Sequence, residues 1–108
     1  MRWFLLAAAL VSSPAFAAPT YLDCRFPGAV PIKITADEAT GKATVFVPST
    51  GFTETLTAAF TPDEVIFANN MLDYKISRTD LSIDRTVRLL KKTDRGQCKV
   101  VEAPPRAF

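Results

Sequence analysis

The sequence predicts an all-β fold, a small antiparallel meander of about eight short strands that closes, or nearly closes, into a barrel. Three observations lead there. Apolar residues recur at every second position over most of the chain, turn-forming residues interrupt the alternation at short intervals, and no window holds an apolar pattern at helical spacing.

The chain opens with a leader rather than a strand. Arg2, the apolar run Trp3 to Val11, and Ala15-Phe16-Ala17 have the order of a secretory signal peptide, with small residues at 15 and 17 for cleavage after Ala17. The run is too short to cross a hydrocarbon core, which needs about 20 apolar residues, and Pro14 interrupts it. The domain plan is therefore a signal over 1–17, one β domain over 18–103 and a tail over 104–108. Periplasmic or secreted localisation is expected. Trp3 is the only tryptophan, so the mature chain is expected to have none.

Leu22, Cys24 and Phe26 share one face of a first strand that Pro27-Gly28 ends, and Val30, Ile32 and Ile34 line a second. A polar turn from Asp37 to Lys42 leads to Ala43, Val45 and Val47 in a third, closed by Pro48-Ser49-Thr50-Gly51. In the fourth, Phe52, Leu56, Ala58 and Phe60 alternate with Thr53, Thr55, Thr57 and Ala59, and Glu54 breaks the apolar row. Thr61-Pro62-Asp63-Glu64 has the composition of a capped single helical turn. Val65 and Phe67 then line a fifth strand, Asn69-Asn70 makes a tight turn, and Leu72, Tyr74 and Ile76 line a sixth. After Arg78-Thr79-Asp80, a seventh strand places Leu81, Ile83 and Val87 on a face with Arg85, and a last strand after Gly96 carries Cys98 and Val100. Pro104-Pro105 ends regular structure.

A mature chain of about 90 residues buries little more than ~60% of the surface that its unfolded form exposes, so its core is marginal. Cys24 and Cys98 lie near its two ends, and in an oxidising compartment they are expected to form a disulfide that latches the first strand to the last. Two thiols without histidine are too few for a zinc site. Cys24 is no lipid attachment site either, because Leu22-Asp23 precede it where a lipobox has small residues. No membrane anchor is expected.

The chain has no histidine and no glycine-rich phosphate loop, which removes histidine relays and nucleotide-type sites. Asp37-Glu38 and Asp63-Glu64 sit in turns, where carboxylates serve backbone geometry. A cofactor-free, non-catalytic domain is the expectation. Charge is lopsided: nine basic and four acidic side chains follow Tyr74, a net of +5. Lys75, Arg78, Arg88, Lys91, Lys92 and Arg95 are the candidate patch for an acidic protein or an anionic envelope polymer, with Lys91, Lys92 and Arg95 in an exposed turn. The bland alternative is a charged hairpin in which Asp80 or Asp84 pairs with Arg78 or Arg85. No aromatic side chain is interleaved with this cluster, so nucleic acid is not expected as a partner.

The overall plan, a signal followed by a small β-barrel with a cysteine near each end, resembles the secreted inhibitors of C-type lysozyme of the bacterial periplasm. Gly96-Gln97-Cys98-Lys99-Val100 is similar to that family's closing strand. The resemblance implies an inhibitory turn at Ser49, Thr50 and Gly51, where the family has a Ser-Gly pair followed shortly by tyrosine; here a threonine is inserted and Phe52 follows. A second family motif, tyrosine followed by Lys-Gly, is matched by Tyr74-Lys75 without the glycine. The reading that ranks first from the residues themselves is an exported binding domain, with lysozyme inhibition as the alternative.

Overall fold

The computed structural model describes residues 18–103. The leader at 1–17 and the tail at 104–108 lie outside the described residues. Eight antiparallel strands form one closed barrel: β1 (Thr20–Arg25), β2 (Ile32–Asp37), β3 (Lys42–Val47), β4 (Phe52–Phe60), β5 (Glu64–Ala68), β6 (Leu72–Ser77), β7 (Ser82–Val87) and β8 (Lys92–Val101). Each strand pairs with its sequence neighbours, and β1 pairs with β8 to close the ring. Closure leaves no sheet edge to template pairing with another chain.

The period-two pattern becomes a dry interior and a wet exterior. Leu22, Ile34, Val45, Val65, Phe67, Ile76 and Ile83 are buried inside. Outward positions carry Lys33, Thr44, Thr55, Lys75, Asp84 and Arg95, and cross-strand hydroxyls pair there, Thr44 with Thr55 at 3.0 Å and Thr86 with Thr93 at 2.8 Å. An apolar inside and a charged outside is the reverse of a membrane-spanning barrel. Among the described residues no helix is long and apolar enough to cross a membrane.

The barrel is built from two four-strand meanders, β1–β4 and β5–β8, and positions forty residues apart match from β2 to β4 and from β6 to β8. Positive φ recurs at Gly41 (68°) and Leu81 (62°), and again at Gly51 (78°) and Lys91 (52°). The Ala58 amide donates to the Gly41 carbonyl at 2.8 Å, and the Cys98 amide to the Leu81 carbonyl at 2.9 Å. The last strand of each unit is long enough to turn a corner: β4 pairs first with β3 and then with β5, β8 first with β7 and then with β1. Alternation reads each strand singly, and so this repeat escaped it.

At the β8 corner stands Gly96. A Cβ there would overlap the Arg25 carbonyl oxygen and lie 2.8 Å from the Phe26 ring. Since the clash is partly with backbone, Gly96→Ala is expected to cost about 1–3 kcal/mol or more, measured by denaturant unfolding. A cost below 0.5 kcal/mol, the ordinary range of a surface substitution, would mean that β1 and β8 do not approach this closely.

The Cys24–Cys98 disulfide forms between directly opposed residues of β1 and β8, seventy-four residues apart in sequence, and latches the closing seam as expected. Other expectations need correction. Val30 is 51% exposed, because it lies in the turn before β2 rather than in the strand. Phe52 is 52% exposed because it begins β4 at the end of the barrel, beyond the packed interior. Val100 is exposed beyond the point where the interior is filled. Thr61 to Glu64 forms no helical turn. Its hydroxyl does accept from the Glu64 amide at 2.9 Å, but Glu64 immediately enters β5 and the motif closes a hairpin instead. β8 begins at Lys92, so Lys92 and Arg95 are strand residues and only Lys91 stays in the turn.

Candidate functional site

In a meander each strand reverses the one before, so turns gather alternately at two ends. Those at 26–31, 48–51, 69–71 and 88–91 form one rim, called upper here. The turns at 38–41, 61–63 and 78–81 form the lower rim together with both ends of the described chain.

The upper end is closed from within by polar and aromatic groups. The Asn69 amide nitrogen donates to Glu54 Oε1 at 2.9 Å, so the residue that broke the apolar row of β4 points inward and is satisfied there. Arg85 faces Asp94 at 3.6 Å and lies 4.1 Å from the centre of the Phe26 ring. Tyr74 stacks on Phe67 with ring centres 4.9 Å apart. Burial pushes its phenol above the usual range; Arg85 beside it opposes that shift and Glu54 adds to it. Every charged group in this cluster faces a partner, so the cluster reads as a plug rather than as a reactive centre.

The lower end keeps a cavity of about 270 Å³ lined by Leu22, Phe60, Val65, Ile76 and Leu81. Arg78 spans its edge. It donates to Glu38 Oε1 at 3.0 Å and to the Thr61 carbonyl at 2.8 Å, and lies 6.0 Å from the Phe60 ring centre. This arginine ties three turns together. Beside it, Asp80 accepts from the Ser82 amide at 2.9 Å; with the Ser82 and Ser77 hydroxyls, this bond holds its carboxyl below the usual range.

The six residues of the candidate basic patch do not form one surface. Arg78 is at the lower rim, Lys75 and Arg95 lie on the outer barrel wall, and Arg88, Lys91 and Lys92 are at the upper rim. Four have partners. Lys75 faces Glu64 at 3.7 Å, Arg78 is held by Glu38, Arg88 pairs with Asp73, and Arg95 makes a two-pronged contact to Asp84 at 2.8 and 3.0 Å that raises its own pKa. Arg88 also donates to the Asn69 carbonyl, stitching the 69–71 and 88–91 turns together. The pairs of the charged-hairpin alternative do not form among the described residues: Arg78 meets Glu38 of another turn, Asp84 meets Arg95 and Arg85 meets Asp94, because register sets different neighbours. Lys91 and Lys92, both exposed, have no carboxylate partner among the described residues.

The turn Ser49, Thr50, Gly51 is also exposed at the upper rim, where the Thr50 hydroxyl accepts from the Phe52 amide at 3.2 Å. Sequence reasoning passed over what else the rim displays. Leu89 is 91% exposed, Leu90 69% and Met71 63%, with Val30 on the 26–31 turn and Phe52 at the start of β4. The available signal was Leu89-Leu90 between strands, where turn chemistry favours Gly, Asn, Asp or Ser. Among the described residues no three His, Cys, Asp or Glu side chains converge as metal ligands. No family model, curated protein or solved structure matches the chain.

Proposed function

We propose that this chain is an exported, non-catalytic binding domain that presents its upper rim to an anionic component of the cell envelope. The observation that carries the reading is the state of the basic residues. Four of the six candidates pair with carboxylates of the barrel's own surface, whereas Lys91 and Lys92 project from one hairpin with no carboxylate partner among the described residues. An unneutralised pair of ammonium groups attracts anions at range, and that attraction weakens with salt. Export is supported by the leader composition and by the disulfide, a bond that persists in oxidising compartments.

Replacing Lys91 and Lys92 together by serine is expected to leave stability within about 0.5 kcal/mol, while retention on immobilised poly-glutamate falls and loses its salt dependence. Arg95→Ser serves as the comparison. Its charge is already matched by Asp84, so it should reduce retention less. Equal retention of the double variant and the parent would overturn the proposal.

A second reading attaches to the other hairpin of the same rim. The Ser49–Gly51 turn is exposed and followed by a half-exposed Phe52, which is the presentation that an inhibitory turn requires. Inhibition of a C-type lysozyme that is lost on changing Ser49 or Gly51, yet insensitive to Lys91 and Lys92, would favour it over the anionic-partner reading.

A further inference from the structure

The two meanders provide an internal comparison. By the forty-residue equivalence, Pro48-Ser49-Thr50-Gly51 and Arg88-Leu89-Leu90-Lys91 are the same turn in the two halves, each with its fourth residue at positive φ. The first has turn chemistry throughout, with glycine at the left-handed position. The second has two leucines at the tip and a lysine in the left-handed conformation, so the fold itself does not require these residues.

The leucines fill no gap in the barrel. Leu89 and Leu90 are 91% and 69% exposed, and Met71, whose carbonyl accepts from the Arg88 amide at 3.1 Å, adds a third apolar side chain beside them. Val30, on another turn of the same rim, and Phe52, where β4 begins, are also exposed. The apolar tip is followed at once by Lys91 and Lys92, which have no carboxylate partner among the described residues.

We infer that the upper rim docks on a bilayer rich in anionic phospholipid, with Leu89, Leu90 and Met71 entering the headgroup boundary and Lys91 and Lys92 lying at the level of the phosphates. Charge complementarity selects this occupant. Apolar side chains flanked by uncompensated lysines fit a surface that is anionic outside and apolar just beneath. The hairpin tip is also exposed, and a deformable lipid surface accepts it without a matching pocket. This inference rests on the anionic-partner reading above and specifies its partner.

The test uses the folded domain from Ala18 onward and phosphatidylcholine vesicles with and without phosphatidylglycerol. Co-sedimentation is expected only with the anionic vesicles and should fall as salt rises. Copying the first turn into the second, as Leu89→Ser, Leu90→Thr and Lys91→Gly, is expected to preserve the circular dichroism spectrum and melting temperature while weakening vesicle binding about tenfold or more. Because Trp3 is the only tryptophan of the chain, Leu90→Trp in this domain gives a lone reporter, whose emission should shift to the blue on anionic vesicles.

Retention on poly-glutamate without binding to anionic vesicles would overturn the lipid inference and leave the anionic-partner reading standing; failure on both would remove both. Undiminished vesicle binding by the turn-copied variant would place adsorption on another face, and bound Leu90→Trp protein with unshifted emission would show that the apolar tip stays in water. Either result overturns the inference.

Discussion

Reduction of the Cys24–Cys98 bond is expected to destabilise the barrel by about 4 to 5 kcal/mol, the largest effect of any single covalent change available in this chain. The bond closes a loop spanning a sequence separation of 74, nearly the whole described domain, and the entropy of the unfolded chain rises when so long a loop is released. It also joins directly opposed residues of β1 and β8, the pair that closes the ring. A domain of this size has a net stability of about 5 kcal/mol or somewhat more, so the reduced protein should lie near its unfolding midpoint under mild conditions. Thermal melts with and without reductant should differ by roughly 20 °C or more, and the Cys24→Ala, Cys98→Ala double variant should match the reduced protein. Melting curves that coincide would show that strand pairing alone holds the seam.

Phe67→Ala is expected to cost about 3–5 kcal/mol, against about 0.5 kcal/mol or less for Phe52→Ala. Both residues are phenylalanines in strands, and composition does not distinguish them. Phe67 is 2% exposed and stacks on Tyr74, so truncation leaves a cavity with rigid walls, whereas Phe52 is 52% exposed where β4 begins. Denaturant unfolding of the two variants gives the contrast directly. Comparable costs would mean that the register of β4 against β3 and β5 differs from the one described.

Strand count, order and inward faces were largely legible in the residues. Ile32 and Ile34, Ala43 and Val45, Val65 and Phe67, and Tyr74 and Ile76 all alternate as expected and all are buried. The errors cluster at strand ends. Val30, Phe52 and Val100 keep the period of the strand they adjoin but lie beyond the filled interior, and the start of β8 was placed after Gly96 when it is at Lys92. Local pattern assigns a side chain to a face, and it is packing against other strands that decides how far along the barrel that face stays dry.

The candidate site was less legible for the same reason. Net charge after Tyr74 was countable, but Arg78 meets Glu38 forty residues away and Arg88 meets Asp73 across a strand pair, contacts that exist only once register is set. The equivalence of the two halves appears in recurring positive φ and in the Ala58–Gly41 and Cys98–Leu81 hydrogen bonds rather than in residue identity.

By itself the sequence determined an alternating, turn-punctuated β domain, an expected export leader and an expected bond between its two cysteines, because periodicity, composition and spacing are local or countable properties. Only the tertiary structure decided which turns share a rim, which basic groups are neutralised, and that Leu89, Leu90, Lys91 and Lys92 stand together in the open. The physical reason is that a period of two specifies the side of a strand, whereas register and closure follow from pairing between distant segments, and those pairings alone determine which charges and apolar groups are left for a partner.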